Sequence, residues 1–196
     1  EGPAAVERLP YLPGTGRAAG DWWGETPGDM RGDDAASLTF TSDALKEART
    51  IVGSPRVRVD ARVSAPLVHW SARLEDVAPD GAVTLVTGGA RNGAGLRGDV
   101  RFELPLHFTT WTFRPGHRVR LALSHAQFPM LWPTPHVDAG ATVVRVGASR
   151  TSLDLPEVPG LGALPSVEFP VPAHVGARTD ARELPVVPEA RERESF

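Results

Sequence analysis

Ser124 and His125 stand side by side, a hydroxyl next to an imidazole, the residue types of an acyl-transfer nucleophile and its base. Their spacing argues against that chemistry. The alternating residues Val119, Leu121 and Leu123 put the pair at a strand end, where successive side chains point to opposite faces. A nucleophile and its base need mutual hydrogen-bond reach. A serine hydrolase of the α/β type presents its serine in a Gly-x-Ser-x-Gly elbow, and no such elbow occurs in the 196 residues. Cysteine is absent, which removes thiolate nucleophiles, disulfides and thiolate metal sites. The six histidines, His69, His107, His117, His125, His136 and His174, form no His-x-x-x-His or Glu-x-x-His pair. No catalytic residue, metal site or cofactor is therefore assigned. Asp29, Asp33 and Asp34 gather oxygens of the kind calcium prefers, but loop acids or a strand cap are the simpler reading. The tripeptide Arg31-Gly32-Asp33 is read as chance.

The five tryptophans are the remaining chemistry-bearing set. Trp70 and Trp111 fall in alternating runs and read as core or sheet-face residues. Trp22, Trp23 and Trp132 lie in loops rich in proline and glycine. They either face a partner domain or form a platform on which sugar rings stack. The pattern alone leaves both open.

The elements that must carry these residues read as short strands. Val57, Val59, Ala61 and Val63 alternate with Arg56, Arg58, Asp60 and Arg62, the period of a half-buried strand. Val68, Trp70, Ala72 and Leu74 repeat the pattern. Pro79-Asp80-Gly81 turns the chain into a return strand over 82–87. Five glycines over 88–98 read as a loop. Val100 to Phe108 alternates, with a kink at Pro105. Arg114-Pro115-Gly116 is a turn before the strand of Val119, Leu121 and Leu123, and 142–146 and 152–155 are the last strands. Only 43–49 offers a short helical turn. Strands separated by turns, without crossover helices, predict an antiparallel sandwich or barrel. Three parts are expected: an irregular connector over 1–36, a β-sandwich over 37–158, and a proline-rich, charged tail or linker over 159–196. The start at Glu1 without methionine suggests a missing N-terminus. A formal net charge of −3 argues against nucleic acid, and no apolar run is long enough to span a bilayer. Absence of cysteine suits the cytoplasm.

Several segments resemble the C-terminal domain of the X-Pro dipeptidyl-peptidase and cocaine esterase (CocE/NonD) family. They are RGDDAASLTFTSDAL from Arg31, preceded by Pro27-Gly28-Asp29; IVGSP from Ile51; ARLEDVAPDGAVTLVTGG from Ala72; FRPGHRVRLALSHAQFPMLWPTP from Phe113; and SRTSLDLPEVP from Ser149. The order and spacing of these pieces, more than any one of them, carry the likeness. It departs from the family at 89–98, which is short and glycine-rich.

The resemblance implies an all-β jelly-roll β-sandwich, similar to galactose-binding modules. It implies packing against an α/β-hydrolase catalytic domain of the same parent chain, which would hold the whole Ser-His-Asp triad. The chain would be non-catalytic by itself, supporting the pocket, domain packing or assembly, with a homo-oligomer compatible. Trp22, Trp23 and Trp132 are the candidates for the substrate pocket or domain interface, and Gly116, His117, Arg118 and Pro129 form a structural signature. A free-standing carbohydrate-binding module is the rival reading.

Overall fold

The computed structural model describes residues 5–20, 28–136, 142–147 and 150–160, all of which fall in one compact unit, Glu1–Leu161. Its strands are β1 (Ala5–Arg8), β2 (Leu38–Thr41), β3 (Arg49–Gly53), β4 (Arg56–Val63), β5 (His69–Val77), β6 (Val83–Asn92), β7 (Gly98–Pro105), β8 (Thr109–Phe113), β9 (Arg118–Ser124), β10 (Thr142–Val146) and β11 (Ser152–Asp154). Every strand pairing is antiparallel. One sheet runs β2-β9-β5-β6. The other runs β1-β10-β4, with β7 along the far edge of β4 and β11 continuing the near edge. From β1 to β10 the chain crosses between the two sheets at each step except the β5–β6 hairpin, leaving aside the separate β3–β8 pair, which is the strand order of a jelly roll. Strands β3 and β8 form a separate pair.

The alternation in the sequence becomes the core. Val57, Val59, Ala61 and Val63 of β4 face Trp70, Ala72 and Leu74 of β5 across the sandwich, joined by Leu104, Phe113, Leu121 and Leu123. Burial of these apolar side chains is the main favourable contribution to such a fold.

Four local expectations change. The 1–36 stretch is not wholly irregular: β1 joins the sheet edge, and the one-turn helix α1 (Arg31–Asp34) lies within it. No helix forms over 43–49, because Leu45 bonds the turn at 114–117 instead, donating to His117 O and accepting from Gly116 N. The run of glycines over 88–98 is not all loop, since β6 continues to Asn92. A Cβ on Gly89 would lie 2.4 Å from Pro105 O, and one on Gly93 would lie 2.4 Å from Val68 O. These glycines let neighbouring backbones approach closely.

The fourth change concerns the outer face of β5. Every residue of this strand from Trp70 to Val77 is buried. A strap from residues 11–20 and 28–37 covers the face that alternation would leave to solvent. Met30 packs there with Val77, Val83 and Leu85, and its N–H donates to Val83 O.

Candidate functional site

The two groups of residues singled out in the sequence lie at opposite ends of β9, a seven-residue strand that spans about 20 Å. At its start, Gly116 has φ +83°, the left-handed geometry that the third position of a Pro-Gly turn requires. The turn aims His117 at β5. His117 Nδ1–H donates to Asp76 Oδ1 at 2.8 Å, and Trp111 Nε1–H donates to Asp76 Oδ2 at 3.0 Å. Arg118 Nη1 donates to Ser42 O at 3.0 Å, and Ser42 Oγ accepts from Val119 N–H at 3.0 Å. The pair thus binds β5 and the segment after β2 to the start of β9.

At the other end of β9, the Ser124 hydroxyl oxygen accepts from Ala126 N–H at 3.0 Å. His125 is turned away from it: Nδ1–H donates to His69 O, and Nε2 accepts from Thr142 Oγ1, both at 2.7 Å. Burial pushes the His125 imidazole down to about 4, so it is neutral near pH 7. The two residues make no nucleophile-base pair.

The chain then forms an aromatic corner. Phe128-Pro129 is a cis peptide, Leu131 N–H donates to Gln127 O, and the rings of Phe128 and Trp132 meet edge-on at 6.0 Å. Phe128 N–H donates to Thr15 O at 2.8 Å, and Tyr11 Oη donates to Thr134 O at 3.4 Å. The strap therefore runs alongside this corner. Trp132 is 77% exposed and Leu12 on the strap is 56% exposed. Trp22 and Trp23 lie outside the described residues.

Beneath the corner sits a polar network that sequence reasoning missed. Arg73 of β5 is fully buried, at 0% exposure. Its Nε donates to Glu75 Oε1 at 2.8 Å, and its Nη2 donates to Asp34 Oδ1 at 3.2 Å and to Ser37 Oγ at 3.0 Å. Gln127 Oε1 accepts from Ser71 Oγ at 3.1 Å and from Arg73 Nη1 at 3.5 Å. Arg120 Nη1 reaches Asp34 Oδ2 at 2.6 Å. The adjacent Asp33 accepts Gly16 N–H at 2.8 Å and Ala18 N–H at 2.9 Å. Asp33 thus holds the strap to itself, and Asp34 holds it to the sheet. The oxygens considered for calcium are engaged by N–H donors.

Glu75 Oε2 is buried without a hydrogen-bond partner. Burial, reinforced by the Asp34 charge, raises Glu75 to about 8 despite Arg73. The one sequence signal for this network was the pair of charged residues two apart, Arg73 and Glu75, on the polar face of a strand.

A sandwich of this topology with an apolar core defines an all-β jelly-roll module. Residues 12–143 match the X-Pro dipeptidyl-peptidase C-terminal non-catalytic domain, and the chain belongs to that family. Among solved structures it is similar to an aminopeptidase from a marine sediment archaeon, Thaumarchaeota archaeon. That likeness has a TM-score of 0.57 and 19% identity, covering 66% of this chain and 27% of the other. It is also similar to an α-amino acid ester hydrolase (TM-score 0.57, 20% identity, 80% of this chain and 32% of the other). A CocE/NonD family hydrolase from Staphylococcus aureus has a TM-score of 0.55 at 11% identity, over 80% of this chain and 33% of the other. The chain spans about a third or less of these proteins. These likenesses show the fold. Comparison with curated protein sequences gives no match. Among the described residues no helix is long and apolar enough to cross a membrane.

Proposed function

We propose that this module is the accessory domain of a serine hydrolase, docking through the Trp132 corner onto an α/β-hydrolase catalytic domain of the same parent chain. The observation that carries the reading is the exposure of Trp132, 77%, on a corner held from below by a buried polar network. A large aromatic left in water on a well-fixed support marks a contact surface. A catalytic domain as its occupant is supported by the family, a C-terminal non-catalytic domain, and by the two thirds or more of each structural relative that this chain does not span. Those relatives are described as an aminopeptidase and as hydrolases, which supports a peptidase or esterase parent.

In this reading Trp22 and Trp23, on the connector of 1–36, belong to the same junction and help line the acyl-binding side of the pocket. Residues 37–158 are the sandwich, and 159–196 are a tail or linker. His117, Arg118, Gly116 and Pro129 keep the corner and the opposite turn in shape. A homo-oligomer and a cytoplasmic location are compatible with it.

The test is hydrogen exchange on the full-length parent and on this chain alone. Protection of residues 128–132 in the parent only is the expected result, with Trp132→Ala lowering parent stability or raising KM. Equal exchange in both, with glycan binding by the isolated chain that Trp132→Ala abolishes, would replace this reading with a carbohydrate-binding module.

A further inference from the structure

The outer face of the sheet built on β4 carries its charges in pairs. Arg56 meets Glu103 and Arg58 meets Asp154, one cation to one carboxylate. At Asp60 the ratio changes. Arg101 of β7 approaches its Oδ2 at 2.9 Å, Arg150 reaches the same oxygen at 2.9 Å, and Arg145 of β10 reaches Oδ1 at 2.8 Å. Arg145 also bonds Asp99. Three guanidiniums therefore share two carboxylates around a recess of about 440 Å3, lined by Asp60, Asp99, Val100, Arg101, Arg145 and Arg150.

The three cations arrive from separate elements, and one would suffice to neutralise Asp60. Each guanidinium carries five N–H donors. Among the described residues Arg150 commits only Nη1, and Arg101 commits the Nε–Nη2 edge, leaving Nη1. Both side chains are open to solvent, at 66% for Arg101 and 41% for Arg150. Asp60 is 4% exposed, so the carboxylate forms the floor and the spare donors form the rim.

We propose that this recess is an oxyanion-binding site that takes a phosphate or sulfate group, free or as a monoester. Arginine suits the role, since its planar fork offers paired donors to such an anion. The tetrahedral group presents several oxygens, so donors from two rim arginines engage it at once. The surplus positive charge sits in the recess of a chain whose net charge is −3, which sets this spot apart from its surroundings.

The experiment titrates this chain with sodium phosphate, sodium sulfate and glycerol 3-phosphate, against sodium chloride at equal ionic strength. Binding is read by calorimetry and by thermal shift. Saturable stabilisation by the oxyanions and not by chloride is expected. Binding of inorganic phosphate but not glycerol 3-phosphate marks a site for the free ion; binding of both admits a monoester. Arg101→Gln and Arg150→Gln each weaken phosphate binding by about tenfold, the loss of one charge-assisted contact. Arg58→Gln removes the same charge from the same face but leaves the recess intact, and binding stays at the wild-type value. The proposal is overturned if chloride matches phosphate, if Arg58→Gln costs as much as Arg150→Gln, or if both rim variants bind like wild type.

Discussion

Arg73 and Asp60 are the centres of two charge clusters that share residue types and differ in what encloses them. Around Arg73 a fully buried guanidinium lies under the strap between Glu75 and Asp34, with Arg120 on the other oxygen of Asp34. Around Asp60 one carboxylate is ringed by Arg101, Arg145 and Arg150 at an open surface. The carboxyl groups respond in opposite directions. Burial dominates at Glu75, where a second acid stands near, and the group is raised to about 8. Burial also works against the Asp60 charge, yet hydrogen bonds from Arg145, Arg150 and Arg101 outweigh it and hold the group at about 2. Burial alone does not set the sign; the balance of nearby cations to acids does.

The largest effect expected from this contrast is at Arg73. Replacement by Ala strips Glu75 of its bonded cation, leaves Asp34 with Arg120 alone, and cuts the link to Gln127. Breaking a buried ion pair from one side costs about 3–5 kcal/mol. Chemical denaturation of Arg73→Ala should show a loss of that order. A loss below about 1 kcal/mol would mean that water reaches the cluster and that the strap does not seal it.

Next in size is the pH response of Glu75. Its folded value, about 8, lies above the reference of 4.5. Between these two values the folded chain holds a proton that the unfolded chain has released. Stability therefore falls as pH rises across that window, by a few kcal/mol at most, since each tenfold difference in proton affinity is worth about 1.4 kcal/mol. Glu75→Gln should flatten this slope, gaining on wild type at pH 8 relative to pH 5. Asp60 works the other way, with stability present above about 3.8 and lost as pH falls through about 2. A wild-type profile parallel to that of Glu75→Gln would place Glu75 among charged, solvated groups.

What the sequence showed follows the reach of its signals. Alternation reports which face of a strand is apolar, so Val57, Val59, Ala61, Val63 and Trp70 were legible as core. The turn at Gly116 was legible because proline and glycine set backbone angles locally. Alternation does not report what lies above the second face. Arg73 is covered by residues about 40 to 60 positions earlier, and nothing around Ser71-Ala72-Arg73 announces that cover. The glycines at 89 and 93 were read as loop because close backbone approach and turn geometry use the same residue. The Asp60 cluster joins β4, β7, β10 and the segment before β11, so no local window holds it. Trp132 stood out as a large aromatic in a proline-rich loop, and its exposure fits that position.

A third, smaller effect is expected at His117, which is partly exposed. His117→Ala leaves Asp76 with Trp111 Nε1 as its remaining side-chain donor. A loss of about 1–3 kcal/mol in the stability of this chain, as for a buried group stripped of a partner, is the outcome to look for by thermal melting. In the full-length parent the same change should leave kcat/KM unaltered, since the turn lies at the end of β9 away from the Trp132 corner. Unchanged melting with altered kinetics would assign His117 to the pocket.

The smallest effect belongs to Arg101, and it sharpens the contrast with Arg73 most. Both side chains bond a carboxylate through Nε at 3.0 Å or less. If hydrogen-bond geometry alone set the energy, Arg101→Ala and Arg73→Ala would cost the same. Arg101 is mostly in water, however, and Asp60 keeps Arg145 and Arg150 after it is removed. Solvent screening and this redundancy should hold the loss within about 1 kcal/mol. Raising the salt to about 1 M, where screening acts over about 3 Å, should shrink it further while leaving the Arg73→Ala loss nearly intact. Denaturant titrations of both variants at low and high salt make the comparison. A large, salt-insensitive loss at Arg101 would show that Asp60 depends on all three arginines and that the cluster acts as a structural clamp.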